Sequence, residues 1–236
     1  MNEVILQKSM SKLHLLFILL CGGLVLASSG TSFSQEIRLP KPDQEGQVSV
    51  ERAIRERRTI RDFQGKALSL GQLGQLLWAG QGITEREGFQ RRAAPSGGGL
   101  YPLDLYAVVA DQGVIGLDSG VYRYLPQTHA LSKVGGGDQR QSIAKKALHQ
   151  MWMAGAPVIV AITAEYQRIT RKYGERGIRY ALIEVGHVGQ NIFLQAEALG
   201  LGTGIVGAFE DKEIASILKC SAGQDPICLL PVGYKR

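Results

Sequence analysis

The chain has 236 residues, 44% hydrophobic and 20% charged, with a formal net charge of +6. These are globular proportions that exclude a disordered or collagen-like chain, and the length suits one domain of ordinary size. The modest basic excess is able to attract a phosphate-bearing ligand, and with the arginines dispersed and no run of aromatics interleaved with basic residues it does not by itself indicate nucleic acid.

Lys8 and Lys12 precede an apolar run at residues 13–27 (LHLLFILLCGGLVLA), and small polar residues follow to Ser34. This is the pattern of a signal peptide over residues 1–34, cut after Ser34, which makes the mature chain exported, periplasmic or extracytoplasmic. The alternative is an uncleaved membrane anchor through residues 13–27, a run shorter than the ~20 residues a spanning helix needs. Loss of Lys8, Lys12 and Glu3 lowers the net charge from +6 to +5. Residues 35–48 read as an extended tether, polar and without periodicity, and residues 49–236 form the domain.

Ser49 is placed to cap a helix whose Val50, Ala53 and Ile54 face inward. The helix runs into Arg57-Arg58-Thr59-Ile60-Arg61-Asp62-Phe63. Such a run is either a solvated charged face or an anion site, because forked guanidiniums and a hydroxyl are good phosphate ligands. Residues 69–79 form a second helix, with Leu70, Leu73, Leu76 and Leu77 on one side. Residues 80–99 are a loop ending in Ala94-Pro95-Ser96-Gly97-Gly98-Gly99, and it lacks the Gly-Lys-Ser/Thr of a P-loop. It is either a mobile hairpin or a small-residue surface on which a planar ring can lie.

Residues 103–110 alternate as a strand does, and residues 120–125 and 130–134 form a hairpin. Asp138 is read as the cap of a helix reaching Met153, and residues 157–163 as a buried central strand. Residues 165–180 are the most basic part of the body. Leu182, Val185, Val188, Ile192, Ala196 and Leu199 have helical spacing, with Ile178, Ala181, Gly189 and Phe193 on the flanks. The spacing predicts a mostly buried helix from Gly177 to Leu199, roughly 34 Å long, which Gly200 and Gly202 stop. Residues 202–207 spell GxGxxG but follow a helix and open a strand, the reverse of a dinucleotide-binding unit. The better reading is a backbone that something flat approaches closely. Asp211 caps a short helix to Leu218, and residues 227–232 are the last strand. Strands and helices without regular βαβ order give the class α+β. Cys220 and Cys228 read as small buried thiols, with a disulfide as the alternative outside the cytoplasm. No spacing of metal-ligand type occurs, so no metal is expected.

Several segments together resemble the FMN-dependent nitroreductase family over about residues 50–234. They are Arg57-Arg58-Thr59-Ile60-Arg61-Asp62-Phe63, Ala94-Pro95-Ser96-Gly97-Gly98-Gly99, Gly186-His187-Val188-Gly189-Gln190-Asn191, Leu199-Gly200-Leu201-Gly202, Gly207-Ala208-Phe209 and Pro231-Val232-Gly233-Tyr234. Within the family, Leu77-Trp78-Ala79 and Lys172-Tyr173-Gly174-Glu175-Arg176-Gly177 resemble the SagB-type branch, which includes azoline dehydrogenases acting on modified peptides.

The resemblance implies an α+β fold with a mixed, mostly antiparallel sheet flanked by helices and a long core helix. It implies a homodimer with FMN at the interface. Arg57, Thr59 and Arg61 would hold the FMN phosphate and ribityl chain, with Arg58 close by and Lys235 and Arg236 the basic residues available from the chain end. Pro95, Ser96 and Gly97 would reach the flavin from the partner subunit, and Gly207 and Ala208 would place amides near its N5 and O4. Lys172 and Tyr173 would act in proton removal, and His187 is read as a packing residue. The activity implied is hydride transfer through flavin N5 to or from a small organic substrate, with NAD(P)H as donor. The alternatives are oxidation of azoline heterocycles in peptides and a non-catalytic flavin carrier.

Overall fold

The computed structural model describes residues 36–236 apart from Arg86, Glu87 and Phe89, so the leader-like residues 1–34 lie outside the described residues. Seven strands, β1 (Glu36–Arg38), β2 (Leu103–Val109), β3 (Gly120–Leu125), β4 (Ala130–Gly136), β5 (Val158–Glu165), β6 (Leu201–Thr203) and β7 (Gln224–Tyr234), form one sheet in the order β1-β4-β3-β2-β5-β7-β6. Every ladder is antiparallel. Among the described residues, parallel pairing is confined to the isolated bridges Thr59–Thr203 and Leu68–Val114.

Six α-helices accompany the sheet among the described residues: α1 (Val50–Glu56), α2 (Leu70–Gln81), α3 (Arg140–Lys146), α4 (Gln167–Tyr173), α5 (Arg176–Ala198) and α6 (Asp211–Leu218). Strand alternation divides the core. Leu105, Ala107 and Val160 pack with Leu73, Leu76 and Leu77 of α2 and with Val188 and Ile192 of α5. Tyr106, Val108 and Ile159 pack on the other face with Ile143 of α3 and with Ile214 and Leu218 of α6. Strands β2 and β5 are therefore apolar on both faces, which is why residues 157–163 read as a continuous run.

Helix α2 begins with a complete capping box, in which Ser69 Oγ accepts from the Gln72 amide and Gln72 Oε1 accepts from the Ser69 amide. Gly80 lets α2 approach the sheet and α5, since a Cβ there would lie 2.8 Å from Leu105 Cδ1 and 3.3 Å from Val188 Cγ1. Ser49 caps α1 as its type predicts, accepting from the Arg52 amide at 3.2 Å. The inward face of α1 is narrower than expected: Ala53 is buried, while Val50 and Ile54 are 62% and 54% exposed. Helix α5 follows the expected bounds, and Gly200 beyond it has φ +70°. Its C-terminal half is packed, but Ile178, Leu182 and Ile183 are 40%, 46% and 57% exposed.

The helix expected from Asp138 to Met153 is broken. It ends at Lys146, Leu148 and His149 take left-handed φ of +53° and +59°, and a 3₁₀ turn covers Met151–Gly155. The cause is Arg140, which folds onto Asp138 (2.6 Å) and donates to the carbonyls of Ala154 (2.8 Å) and Ala156 (2.6 Å), drawing the chain back. At α6, Asp211 is the first helical residue, and Glu210, in the cap position, makes no side-chain cap. The tether is stitched down: β1 pairs with β4, His129 Nε2 contacts Pro40 O at 2.9 Å, and the Gln75 carboxamide bonds both the amide and the carbonyl of Asp43.

Asp104, at the head of β2, receives Arg123 (3.1 Å), both terminal nitrogens of Arg168 (2.7 and 3.1 Å) and Gln224 (2.7 Å). Asp104→Ala is expected to lower the unfolding free energy by about 3–5 kcal/mol, since it strands these donors. Urea denaturation checks this, and a loss below ~1 kcal/mol would mean that the pairs behave as exposed ones.

Candidate functional site

The arginine run lies along the free edge of the sheet. Arg57 ends α1 by donating its amide to Ala53 O, after which the backbone becomes extended. Thr59 bridges Thr203 of β6, the Ile60 amide donates to Thr203 O (2.9 Å), and Phe63 bridges Lys235. Ile60 sits on Gly202, where a Cβ would be 2.5 Å from Ile60 Cγ1. Trp152 covers Gly204, where a Cβ would be 2.9 Å from the indole, and stacks on Phe63 with centroids 6.5 Å apart.

The guanidinium of Arg57 lies over Phe193 (5.5 Å) and that of Arg61 over Trp152 (5.7 Å), while Arg58 donates to Arg55 O (2.7 Å) and Arg57 O (2.9 Å). None of the three has a carboxylate partner among the described residues. Gly207 and Ala208 are exposed, and their amides have no hydrogen-bond partner among the described residues. A Cβ on Gly207 would meet nothing within 4 Å. Close approach at two of the GxGxxG glycines is thus made by Ile60 and Trp152, and the third is open. No helix follows this segment directly, as the order of elements predicted. Lys235 is held by the largely buried Glu197 (2.6 Å), whereas Arg236 makes only an exposed contact with Asp62 (3.4 Å).

A second group forms at the other end of α5. Gly98 and Gly99 have φ of +67° and +68°, which only glycine adopts without cost, and Tyr101 is held at +46°. Ser96 Oγ accepts from the Tyr101 amide (2.8 Å) and donates to Glu184 Oε1 (3.0 Å), which also accepts the Gly97 amide (2.9 Å). Pro95 is exposed. Lys172 and Tyr173, in the last turn of α4, close on Gly98. A Cβ there would lie 2.6 Å from Tyr173 Oη and 3.0 Å from Lys172 Nζ, so both polar tips converge on one point. Tyr180 braces Tyr173 edge-on, with centroids 5.2 Å apart.

The structure therefore brings Arg57, Arg58, Thr59, Arg61, Gly207 and Ala208 to one region, and Pro95, Ser96, Gly97, Lys172 and Tyr173 to another. Phe193 and Glu184 mark the two along α5, about 13 Å of helical rise apart. His187 is exposed within the chain, on the same bare side as Leu182 and Ile183, and does not pack in the core.

Sequence reasoning missed Trp152, Arg92 and Glu184. Arg92 donates to Gln81 Oε1 (2.9 Å) and lies over Tyr101 (4.4 Å). Glu184 is 3% exposed, and its Oε2 is buried without a partner among the described residues. Burial pushes its carboxyl above the ordinary value, against the pull of the Gly97 amide and the Ser96 hydroxyl. An acid at an inward position of an apolar helix (Leu182-Ile183-Glu184-Val185) was the available signal.

Cys220 is half-buried and Cys228 buried, both are free, and burial raises their thiols to about 11 and about 12. Among the described residues no cluster of His, Cys, Asp and Glu could hold a metal ion, and no helix is long and apolar enough to cross a membrane.

The family model described as "Nitroreductase family" matches residues 54–234. A Methanocaldococcus jannaschii protein named as a nitroreductase is 42% identical over 202 residues, covering 86% of this chain and 98% of its own. The microcin B17-processing protein McbC of Escherichia coli is 28% identical over 134 residues, covering 56% of this chain, and the match spans about half (49%) of McbC. The solved E. coli microcin synthetase McbBCD complex, with truncated pro-MccB17 bound, contains a chain that superposes with a TM-score of 0.66 at 23% identity, over 87% of this chain and 79% of that one. The chain is similar to the microcin B17-processing protein McbC and belongs to the nitroreductase family of oxidoreductases.

Proposed function

We propose that this chain is an FMN-dependent oxidoreductase that works as a homodimer, with each flavin site built from both subunits. The observation that carries the reading is the set of three guanidiniums that have no carboxylate partner among the described residues and lie where Thr59 docks on β6, the strand that leads on to the open amides of Gly207 and Ala208. Forked cations and a hydroxyl suit a phosphate, and an open glycine backbone suits the edge of a planar ring, so the residues fit the group. FMN, when bound, supplies a two-electron carrier that accepts or gives a hydride at N5.

In this reading Arg57, Arg58, Thr59 and Arg61 bind and orient the phosphate and ribityl chain. Gly207 and Ala208 direct their amides to N5 and O4. Pro95, Ser96 and Gly97, contributed from the other subunit, would lie against the ring and keep water from it. Lys172 and Tyr173 hold and pass a proton at Nζ and Oη. The bare stripe of Ile178, Leu182 and Ile183 on α5 is the surface that the second copy covers. NAD(P)H is the proposed donor and a small organic molecule the acceptor. The leader-like residues 1–34 add an exported or membrane-tethered location to the proposal.

A second reading is oxidation of an azoline heterocycle in a peptide. The convergence of Lys172 Nζ and Tyr173 Oη on Gly98 favours it, because that reaction removes a proton as hydride leaves. It requires Lys172→Ala to abolish azoline oxidation. The homology to McbC gives it context.

Purified protein mixed anaerobically with FMN and then NADPH is expected to show a flavin band that bleaches. A bound flavin that NADPH leaves oxidised would point to another donor or to a carrier, and no bound flavin would remove the reading. Arg57→Ala and Arg61→Ala are each expected to weaken FMN binding by about 1.5–3 kcal/mol, as loss of a charge-assisted hydrogen bond does; fluorescence titration measures it, and unchanged affinity in both would refute the phosphate assignment. Sedimentation is expected to give a dimer mass for the FMN-loaded protein, and a monomer would contradict a shared site.

A further inference from the structure

Glu184 has no role in the mechanism above, yet its side chain is the most enclosed carboxylate in the neighbourhood of Lys172 and Tyr173. Its Oε1 takes two donors from one loop, the Ser96 hydroxyl (3.0 Å) and the Gly97 amide (2.9 Å), while its Oε2 is buried with no partner among the described residues. The loop it grips has the backbone of a segment that must be held: Gly98 and Gly99 at φ +67° and +68°, then the non-glycine Tyr101 at +46°. Gly97 fixes Gly98, and Gly98 is the residue against which Tyr173 Oη and Lys172 Nζ rest.

We propose that Glu184 is a positioning residue, a latch on the 95–99 loop that sets the gap in which Lys172 and Tyr173 handle their proton. This rests on the flavin reading for its catalytic consequence, but not for the latch itself. The groups around Glu184 fit the assignment. His187 lies one turn along α5 and Arg92 leads into the loop, both pulling towards the ionised form, yet neither touches Oε2. Tyr180 stands one turn before it and braces Tyr173. Burial raises its carboxyl above the ordinary value. Glutamine, which keeps an acceptor oxygen where Oε1 receives the Ser96 hydroxyl and the Gly97 amide, is the conservative replacement.

The experiment compares Glu184→Gln, Glu184→Ala and wild type by amide hydrogen exchange over residues 94–101 and by steady-state kinetics of the FMN-loaded protein. Glu184→Gln keeps the acceptor and is expected to stay near wild type in both. Glu184→Ala is expected to speed exchange at Gly97 and Tyr101 by about tenfold or more. In the FMN-loaded protein it is also expected to lower kcat by about tenfold or more, a larger effect than any on KM, because the proton-handling pair is displaced. Unchanged exchange in Glu184→Ala would overturn the latch. Equal loss of kcat in Glu184→Gln and Glu184→Ala, with exchange intact in the glutamine variant, would overturn it in favour of direct proton transfer by the carboxyl. If Glu184→Ala does not fold, Glu184→Met, which keeps the side-chain length and removes the acceptor for the Ser96 hydroxyl and the Gly97 amide, is judged on the same two readouts. Exchange is read on flavin-free protein as well, so a protein that fails to bind or reduce FMN would sink the functional reading while leaving the latch result to stand or fall separately.

Discussion

Asp104 takes four hydrogen bonds at the head of β2, and the placement of Lys172 and Tyr173 depends on them. A buried carboxylate loses several kcal/mol of hydration, and a well-packed apolar replacement is often as stable. What the ion pairs add is indexing. Arg168 lies one turn before Lys172 on α4, and its two terminal nitrogens engage both oxygens of Asp104, so α4 is fixed in rotation as well as in distance. The same guanidinium donates to Glu165 (2.9 Å) and to Tyr101 O (3.3 Å), where the glycine loop rejoins the sheet. One arginine thus ties together the strand, the helix that carries Lys172 and Tyr173, and the end of the loop they rest on. Glu184 grips that loop from the opposite side, through α5.

The parts of the fold that were legible in the sequence are those governed by local period. Helices α2 and α5 and the strand at residues 157–163 repeat their pattern over enough residues for packing to follow. The failures have a common cause in contacts made far along the chain. Arg140 stops α3 by reaching carbonyls of residues 154 and 156, and no window around Asp138 contains that information. Periodicity also says where an apolar stripe lies but not what covers it, so Val50, Ile54, Ile178 and Leu182 were expected inside and are exposed. At the site, the charge of the arginine run was legible, whereas its docking on β6 rests on Thr59 meeting Thr203. Glu184 went unread because an acid within a helix usually marks the wet face, and here it faces a glycine loop.

The two groups of site residues are set by opposite ends of α5, and one chain does not close them around a single ring. A two-fold axis through the bare stripe near Leu182 and Gly186 would change that, because an isologous contact pairs residue i of one copy with residue j of the other and j with i. Two copies of α5 would then cross antiparallel, setting the Phe193 end of one, with its arginines, beside the Ile178 end of the other, with Lys172 and Tyr173. Gly186 has nothing within 4 Å of a built Cβ, so the helices can approach closely at that point. In the proposed dimer the exposed isoleucines and leucine, a cost to an isolated chain, would become the apolar contact between the two copies, and the length of α5 would set the separation of the two groups of site residues.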